Sequence, residues 1–390
     1  MFLFRTVAFF VAALFLAPAG WPQAATDPSD AVAASAGSPV AFVYVTRPTH
    51  IDGFAVSSSG KLTPVPGSPF ANIAASSLSV NKKFLFAAGD NNRDIYTFSI
   101  ASNGAIKQIS EIDVQKYSDD CVTIGPLQID NTGSSLYLQV NDSCQDNGFI
   151  QTFKIESNGD LQFVGNTSGV PLDVVKVLPP IRFIGDDKIG WEAGLGSDDG
   201  LVNGYPGAYE RKSNGSLVYL GSYYGPPNPK NPDDQYLTSS IATDSTDHVV
   251  FSLEDYSNDD GVIVGNDVLG TFTAKADGAL TTQSTNTNMP TTALSPVGTM
   301  SISPSGKLLA AGGQGFQVFH FNGSSPIAHY TGLLQAEDNF EEFGWDRDNH
   351  LFALSGNALF VYTATPTSIK QTAGSPYSIP QASSLIVFNK

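Results

Sequence analysis

The chain has 390 residues, a formal charge of −17, and only 15% Asp, Glu, Lys and Arg. That balance argues against a nucleic-acid partner, because an acidic surface releases no counterions from a polyanion. Sparse charge with 37 Gly and 24 Pro points to strands and turns rather than to a helical enzyme.

In chain order, the first element is a leader. Arg5 precedes an apolar run over residues 7–16, too short to span a bilayer, and Ala17-Pro18-Ala19 offers small residues for cleavage. Cleavage is expected after Ala19 or Ala25, which makes residues 1–25 a signal peptide and the protein secreted or periplasmic. Residues 26–38, rich in Ala, Ser and Asp, read as a disordered linker. No later stretch is apolar for long enough to be a membrane helix. Residues 39–390 remain for folding. A length prior of about 150 residues per domain would divide them in two, but all-β rings are exempt from it. Cys121 and Cys144 make an even pair, so one disulfide is expected in an exported chain.

From residue 41 onward a unit of four short strands repeats. Leu78-Ser79-Val80, Phe84-Leu85-Phe86, Ile95-Tyr96-Thr97-Phe98 and Ala105-Ile106 form one copy. Leu127-Gln128-Ile129, Leu136-Tyr137-Leu138, Ile150-Gln151-Thr152-Phe153 and Asp160-Leu161 form the next. The turn before each last strand is the clearest marker: Ser59-Gly60, Asn103-Gly104, Asn158-Gly159, Asn214-Gly215 and Asp277-Gly278. Such pairs supply the positive φ angles of a tight hairpin. Innermost strands are predicted to begin near Ser77, Pro126, Pro180, Ser240, Thr299, Glu342 and Ser384. A spacing of roughly 40–60 residues is that of propeller blades. The first unit lacks an innermost strand and the last, at Leu385-Ile386-Val387-Phe388, has nothing after it. The prediction is an all-β, seven-bladed propeller of four-stranded antiparallel blades, closed by the C-terminal strand joining the N-terminal blade.

Phe42-Val43-Tyr44-Val45-Thr46, Ile51-Asp52-Gly53-Phe54 and Pro66-Gly67-Ser68-Pro69-Phe70, echoed by Gly374-Ser375-Pro376-Tyr377, carry a resemblance. The chain resembles the lactonase-like seven-bladed propellers, the group of the 6-phosphogluconolactonase relatives and YVTN-repeat surface proteins. The resemblance implies the fold over nearly the whole mature chain. These motifs are strand and turn signals, so no catalytic residue is carried over from the family.

Loop length sorts the two faces. Turns between strands 1 and 2, and between 3 and 4, are short and share one face. The long loops over residues 113–125, 192–204, 222–237 and 254–267 lie on the other, where a site is expected. Cys121 and Cys144 both fall there, and closing the loop between them would stabilise by ~3 kcal/mol. His248 and His350 occupy strand 1–2 turns and read as solvated; His320 and His329 read as structural. Glu341 and Glu342 open an innermost strand whose counterparts start with uncharged residues, which places two carboxylates at the channel mouth. Arg47, His50 and Arg93 are the expected companions: the arginines would fix an anionic group while His50 or a Glu activates water. The plain alternative is a salt-bridged rim that locks the ring.

Asp255 and Asp259 sit in an oxygen-rich loop and are the candidate Ca²⁺ ligands, although no loop has the EF-hand spacing. No other cofactor is expected. GxSxG, HExxH and Walker motifs are absent. Three readings follow. The leading one is a secreted, monomeric propeller binding a small molecule, glycan or protein through its long-loop face. The rival is a lactonase-like hydrolase of a sugar lactone using Arg47, His50, Glu341 and Glu342. The third is a structural, surface-displayed propeller.

Overall fold

The computed structural model describes residues 38–390 apart from 72, 92, 119–121, 143–146, 169–179, 194–195, 199–200, 204, 224–234, 258–261 and 264. The expected leader at 1–25, all of the expected linker but Ser38, Cys121 and Cys144 with their expected disulfide, and Asp259 lie outside the described residues.

Antiparallel strands account for nearly all regular structure. Sheet I pairs Leu62–Pro64, His50–Val56, Ala41–Arg47 and, innermost, Leu385–Asn389. Leu385 to Phe388 face Val45 to Phe42 in register, so the far end of the chain supplies the strand that the first unit lacks. Sheet II runs Ala75–Val80, Phe84–Gly89, Asp94–Ile100 and Ile106–Asp113, and sheet III runs Val122–Ile129, Ser135–Asp142, Asn147–Ile155 and Leu161–Ser168. Sheet IV holds Arg182–Phe183, Ile189–Ala193, Pro206–Arg211 and Leu217–Ser222, with a small hairpin at Gly196–Asp198 and Leu201–Asn203. Sheet V holds Gln235–Thr243, His248–Ser257, Val268–Ala274 and Leu280–Thr281.

The last two units differ from the sequence expectation. Leu308–His320 is one strand of 13 residues rather than two strands and a loop, and the front half of Leu334–Trp345 pairs with it. Gly312, Gly313 and Gly315 explain this: the chain passes the expected loop as a bulge, with Gly315 at φ +80. Units VI (with Thr299–Ile302) and VII (Trp345 end, His350–Ser355, Ala358–Thr365, Ser368–Gln371) therefore run on as one eight-stranded sheet.

Apolar clusters fill the spaces between successive units. One joins I to II through Phe42, Leu85 and Phe98, another II to III through Phe86, Leu138 and Phe153, and another VII to I through Val43, Phe352 and Leu385. Similar clusters lie between III and IV, IV and V, V and VI, and VI and VII. A second strand is covered on both faces, so its alternation gives way to continuous apolar runs such as Leu85-Phe86-Ala87-Ala88, all fully buried.

The glycine turns have a role beyond hairpin geometry. Each seats on the preceding unit. Gly104 of sheet II lies against Phe42 and Val65 of sheet I, and its carbonyl accepts a 2.8 Å bond from the Tyr44 hydroxyl. Tyr137 of sheet III donates to the Gly215 carbonyl of sheet IV in the same way. Gly60 lies against His350 of unit VII, and Gly323 against His248 of sheet V. This corrects the reading of those histidines as solvated. His350 is 2% exposed and bonds Asp346 at 2.7 Å; His248 bonds Asp244 at 2.8 Å. Each ring braces its own turn beneath the neighbour's glycine.

Gly104→Ala tests this seat. At φ +84 a Cβ would meet the Phe42 ring at 2.5 Å. Backbone strain and overpacking together are expected to cost about 3 kcal/mol, read as a lower urea midpoint. An unchanged midpoint would show that the turn can lift off its neighbour freely.

Candidate functional site

Innermost strands converge on a central channel. Leu78 N donates to Ser384 Oγ and Leu127 N to Ser77 Oγ, so the serine that opens one strand accepts from the backbone of the next. The seven positions predicted to begin these strands all line one cavity of about 470 Å³ on the long-loop side. Its wall is mostly hydroxyls and prolines, with three charged side chains: Arg182, Glu341 and Glu342.

Glu342 is the best-held of these. Its Oε2 accepts from Ser384 Oγ at 2.9 Å and from Leu385 N at 2.5 Å, which ties unit VII to the closing strand. Removal from water pushes its carboxyl up to about 7; the two hydrogen bonds and the Arg182 charge oppose this, and Glu341 adds to it. Glu341 stands exposed on the rim, its pKa raised by partial desolvation.

Arg182 enters from the short innermost strand of sheet IV. Its Nη1 donates to Gln128 Oε1 at 2.6 Å. No side-chain carboxylate lies within 4.0 Å of it among the described residues, although the Glu342 charge acts on its titration. Desolvation lowers its pKa and Glu342 offsets part of that; a guanidinium stays charged regardless.

Arg182, in the strand predicted to begin near Pro180, is not among the candidate site residues of the sequence. Its position carried a usable signal. Every second residue of an innermost strand faces the channel, so Pro180 and Arg182 share a face, as do Pro126 and Gln128.

The other expected companions stand elsewhere. Arg47 and His50 each lie 3.6 Å from Asp52 within their own hairpin, and Arg47 Nε also donates to Pro380 O. Arg93 clasps Asp113 through Nη2 at 2.5 Å and Nε at 3.0 Å. None of the three lines the central cavity. Loops between second and third strands start one strand outward from the channel, and these side chains turn to the nearest Asp instead of reaching in. The structure thus brings together Glu341 and Glu342 but not Arg47, His50 or Arg93.

Two buried glutamates lie outside the channel. Glu192 is fully buried, accepts from Gln139 Nε2 and Tyr209 OH at 2.6 Å each, and is pushed up to about 7 by burial against those two bonds. Glu254 is likewise raised to about 7, first by burial and then by Asp267. Asp267 Oδ2 takes Ser239 Oγ, Ser252 Oγ and Val297 N, and so fixes the chain leading to Gly298 on the cavity wall. No group of three or more His, Cys, Asp or Glu stands ready for a metal among the described residues, and the Asp255 side chain is outside them.

Glu192 predicts a pH effect on stability. In the unfolded chain its proton leaves near 4.5, whereas the native state holds it to about 7. The native state therefore binds more protons between those values, and stability falls as pH rises across them. Glu192→Gln should flatten the drop between pH 5 and pH 8, by about 2 kcal/mol. Thermal midpoints of both proteins at the two pH values give the comparison; parallel slopes would remove Glu192 from the account.

No family model matches the chain, and no curated protein matches it in sequence. Solved structures do. A protein of Bacteroides fragilis assigned as a 6-phosphogluconolactonase superposes with a TM-score of 0.61 at 15% identity, over 93% of this chain and 100% of that one. Its counterpart from Bacteroides uniformis gives 0.61 at 13% identity, over 89% and 99%. The periplasmic gluconolactonase of Pseudomonas aeruginosa gives 0.61 at 15%, also over 89% and 99%. At such identities the likeness carries the fold, which is that of the lactonase-like propellers. No helix of the described residues is long and apolar enough to cross a membrane.

Proposed function

We propose that this chain, built on the lactonase-like propeller fold, hydrolyses a sugar lactone in its central cavity. One observation carries the reading: Glu342, a carboxyl raised to about 7, and Arg182, a cation without a side-chain carboxylate within 4.0 Å among the described residues, line the same cavity. A volume of about 470 Å³ falls in the range of small-molecule sites.

The chemistry follows from those two groups. Ionised Glu342 takes a proton from water as the water oxygen attacks the lactone carbonyl carbon. An N–H of Arg182 stabilises the negative charge that develops on the carbonyl oxygen. Collapse of the tetrahedral intermediate breaks the bond between the carbonyl carbon and the ring oxygen. Glu342 returns its proton to that oxygen, and an open-chain hydroxy acid results. Ser240 and Thr299 offer hydroxyls to the sugar. The leader-like residues 1–25, and a periplasmic protein among the fold neighbours, support export.

The test is acid release by purified protein from a panel of sugar δ-lactones, net of spontaneous hydrolysis. The expected result is saturable turnover on at least one of them. Rates equal to the uncatalysed background across the panel would overturn the reading and return the binding-module alternative to first place.

A further inference from the structure

A second cavity of about 520 Å³ opens on the opposite, short-turn face of the channel. It shares Ser77, Pro126, Pro180, Arg182 and Glu342 with the first, so Arg182 and Glu342 stand between the two. Its outer wall comes from strand 1–2 turns: Lys82 from sheet II, Thr132 from sheet III and Arg347 from unit VII.

The two cavities differ in charge. The long-loop cavity sets one arginine against two glutamates. The short-turn cavity carries Lys82, Arg182 and Arg347 against Glu342 and Asp130, and Asp130 is already paired with Arg211 at 2.6 Å. This is unusual in a chain with 37 acidic and 20 basic residues. The pairing of the arginines sharpens the point. Of the five among the described residues, Arg47, Arg93 and Arg211 each meet an aspartate. Arg182 and Arg347 have no side-chain carboxylate within 4.0 Å among the described residues, and both line this cavity. Arg347 is held instead by Nη1 donating to Lys390 O at 3.2 Å and by its backbone N–H donating to Asn389 Oδ1 at 3.0 Å. Its neighbour Asp346 is occupied by His350. Guanidinium groups with no side-chain carboxylate in contact, facing a concave wall, can capture a carboxylate in two parallel hydrogen bonds.

We infer that the short-turn cavity is a binding site for a small polyhydroxy carboxylate, held by Arg347 and Arg182 with Lys82 at the mouth. The inference rests on the lactone reading for the identity of that anion, the hydroxy acid that hydrolysis leaves. Substrate is neutral at its ring and product carries a charge. Glu341, which of these two cavities lines only the long-loop one, repels the new carboxylate from that side, while Lys82 and Arg347, which line only the other, attract it there. The channel then has a direction, with the acid retained or released on the face opposite to entry.

Titration of the full chain with sodium gluconate in a calorimeter tests this. One gluconate per chain is expected, with affinity about tenfold weaker in Arg347→Gln and several-fold weaker in Lys82→Gln. Lys82 is exposed, so its variant is informative even if Arg347→Gln is poorly folded, which a thermal melt reveals. Equal affinity in wild type and a folded Arg347→Gln, or in wild type and Lys82→Gln, overturns the site. Failure is separable from failure of the lactone reading. Arg347-dependent gluconate binding in a protein without turnover sinks the hydrolase and keeps the anion site; turnover with Arg347-independent binding does the reverse.

Discussion

Glu342→Gln is expected to lower lactone turnover by about 10³-fold while leaving a folded protein. A positioned general base contributes roughly 10²–10⁴ in rate, and an amide of the same shape cannot accept the proton from water. The substitution keeps an oxygen for Leu385 N and Ser384 Oγ, so the closing strand stays tied to unit VII. The same residue sets a pH profile. Only the carboxylate is a base, and the carboxyl titrates at about 7, so kcat/KM rises with pH and levels off above that value. Glu341 contributes to the upward shift, so Glu341→Gln moves the rising limb to lower pH without abolishing it. A profile flat from pH 5 to pH 8, or a Glu342→Gln variant with wild-type rates, would take Glu342 out of the chemistry.

Deletion of residues 385–390 is expected to cost about 5 kcal/mol or more, a large part of a typical domain's total. Five register pairs with Ala41–Arg47 disappear. Leu385, 1% exposed, leaves the cluster shared with Val43 and Phe352. Stacking of Phe388 on Phe42, at 6.3 Å between centroids, and the Lys390 ammonium over the same ring at 5.6 Å are lost. Glu342 also forfeits its backbone donor Leu385 N. The sheet I edge exposed by the loss invites association. Equilibrium urea unfolding and light scattering are the readouts. A truncated chain that unfolds at the wild-type midpoint, monomeric, would mean the strand is decoration.

The sequence exposed the channel more fully than the site within it. Ser77, Pro126, Pro180, Ser240, Thr299, Glu342 and Ser384 were legible as strand starts because hairpin glycines and period-two alternation are local signals, and all of them face the central cavity. Glu341 and Glu342 stood out as charges at positions otherwise uncharged. Arg182 was missed because it lies two residues beyond a strand start, where only alternation along the strand reveals its aim. Arg47, His50 and Arg93 do not converge: Asp52 meets Arg47, and Asp113 meets Arg93, across their hairpins, which only cross-strand register reveals, while His50 turns to Asp52 two residues along its own strand. Residues 312–315 extend a strand where the four-stranded repeat predicts a connection, because the glycines at 312, 313 and 315 permit both and only packing against Leu334–Trp345 decides.

The overlap of each glycine turn on the preceding unit has a consequence for how such a molecule tolerates change. Gly60, Gly104 and Gly323 leave no room even for a methyl group, so that rim is a row of shingles and refuses splicing. Inserted peptides or whole modules are better accepted on the opposite rim, whose connections are long and irregular. Novelty in this architecture is thereby channelled to one side of the disc, and the other is kept as its seam.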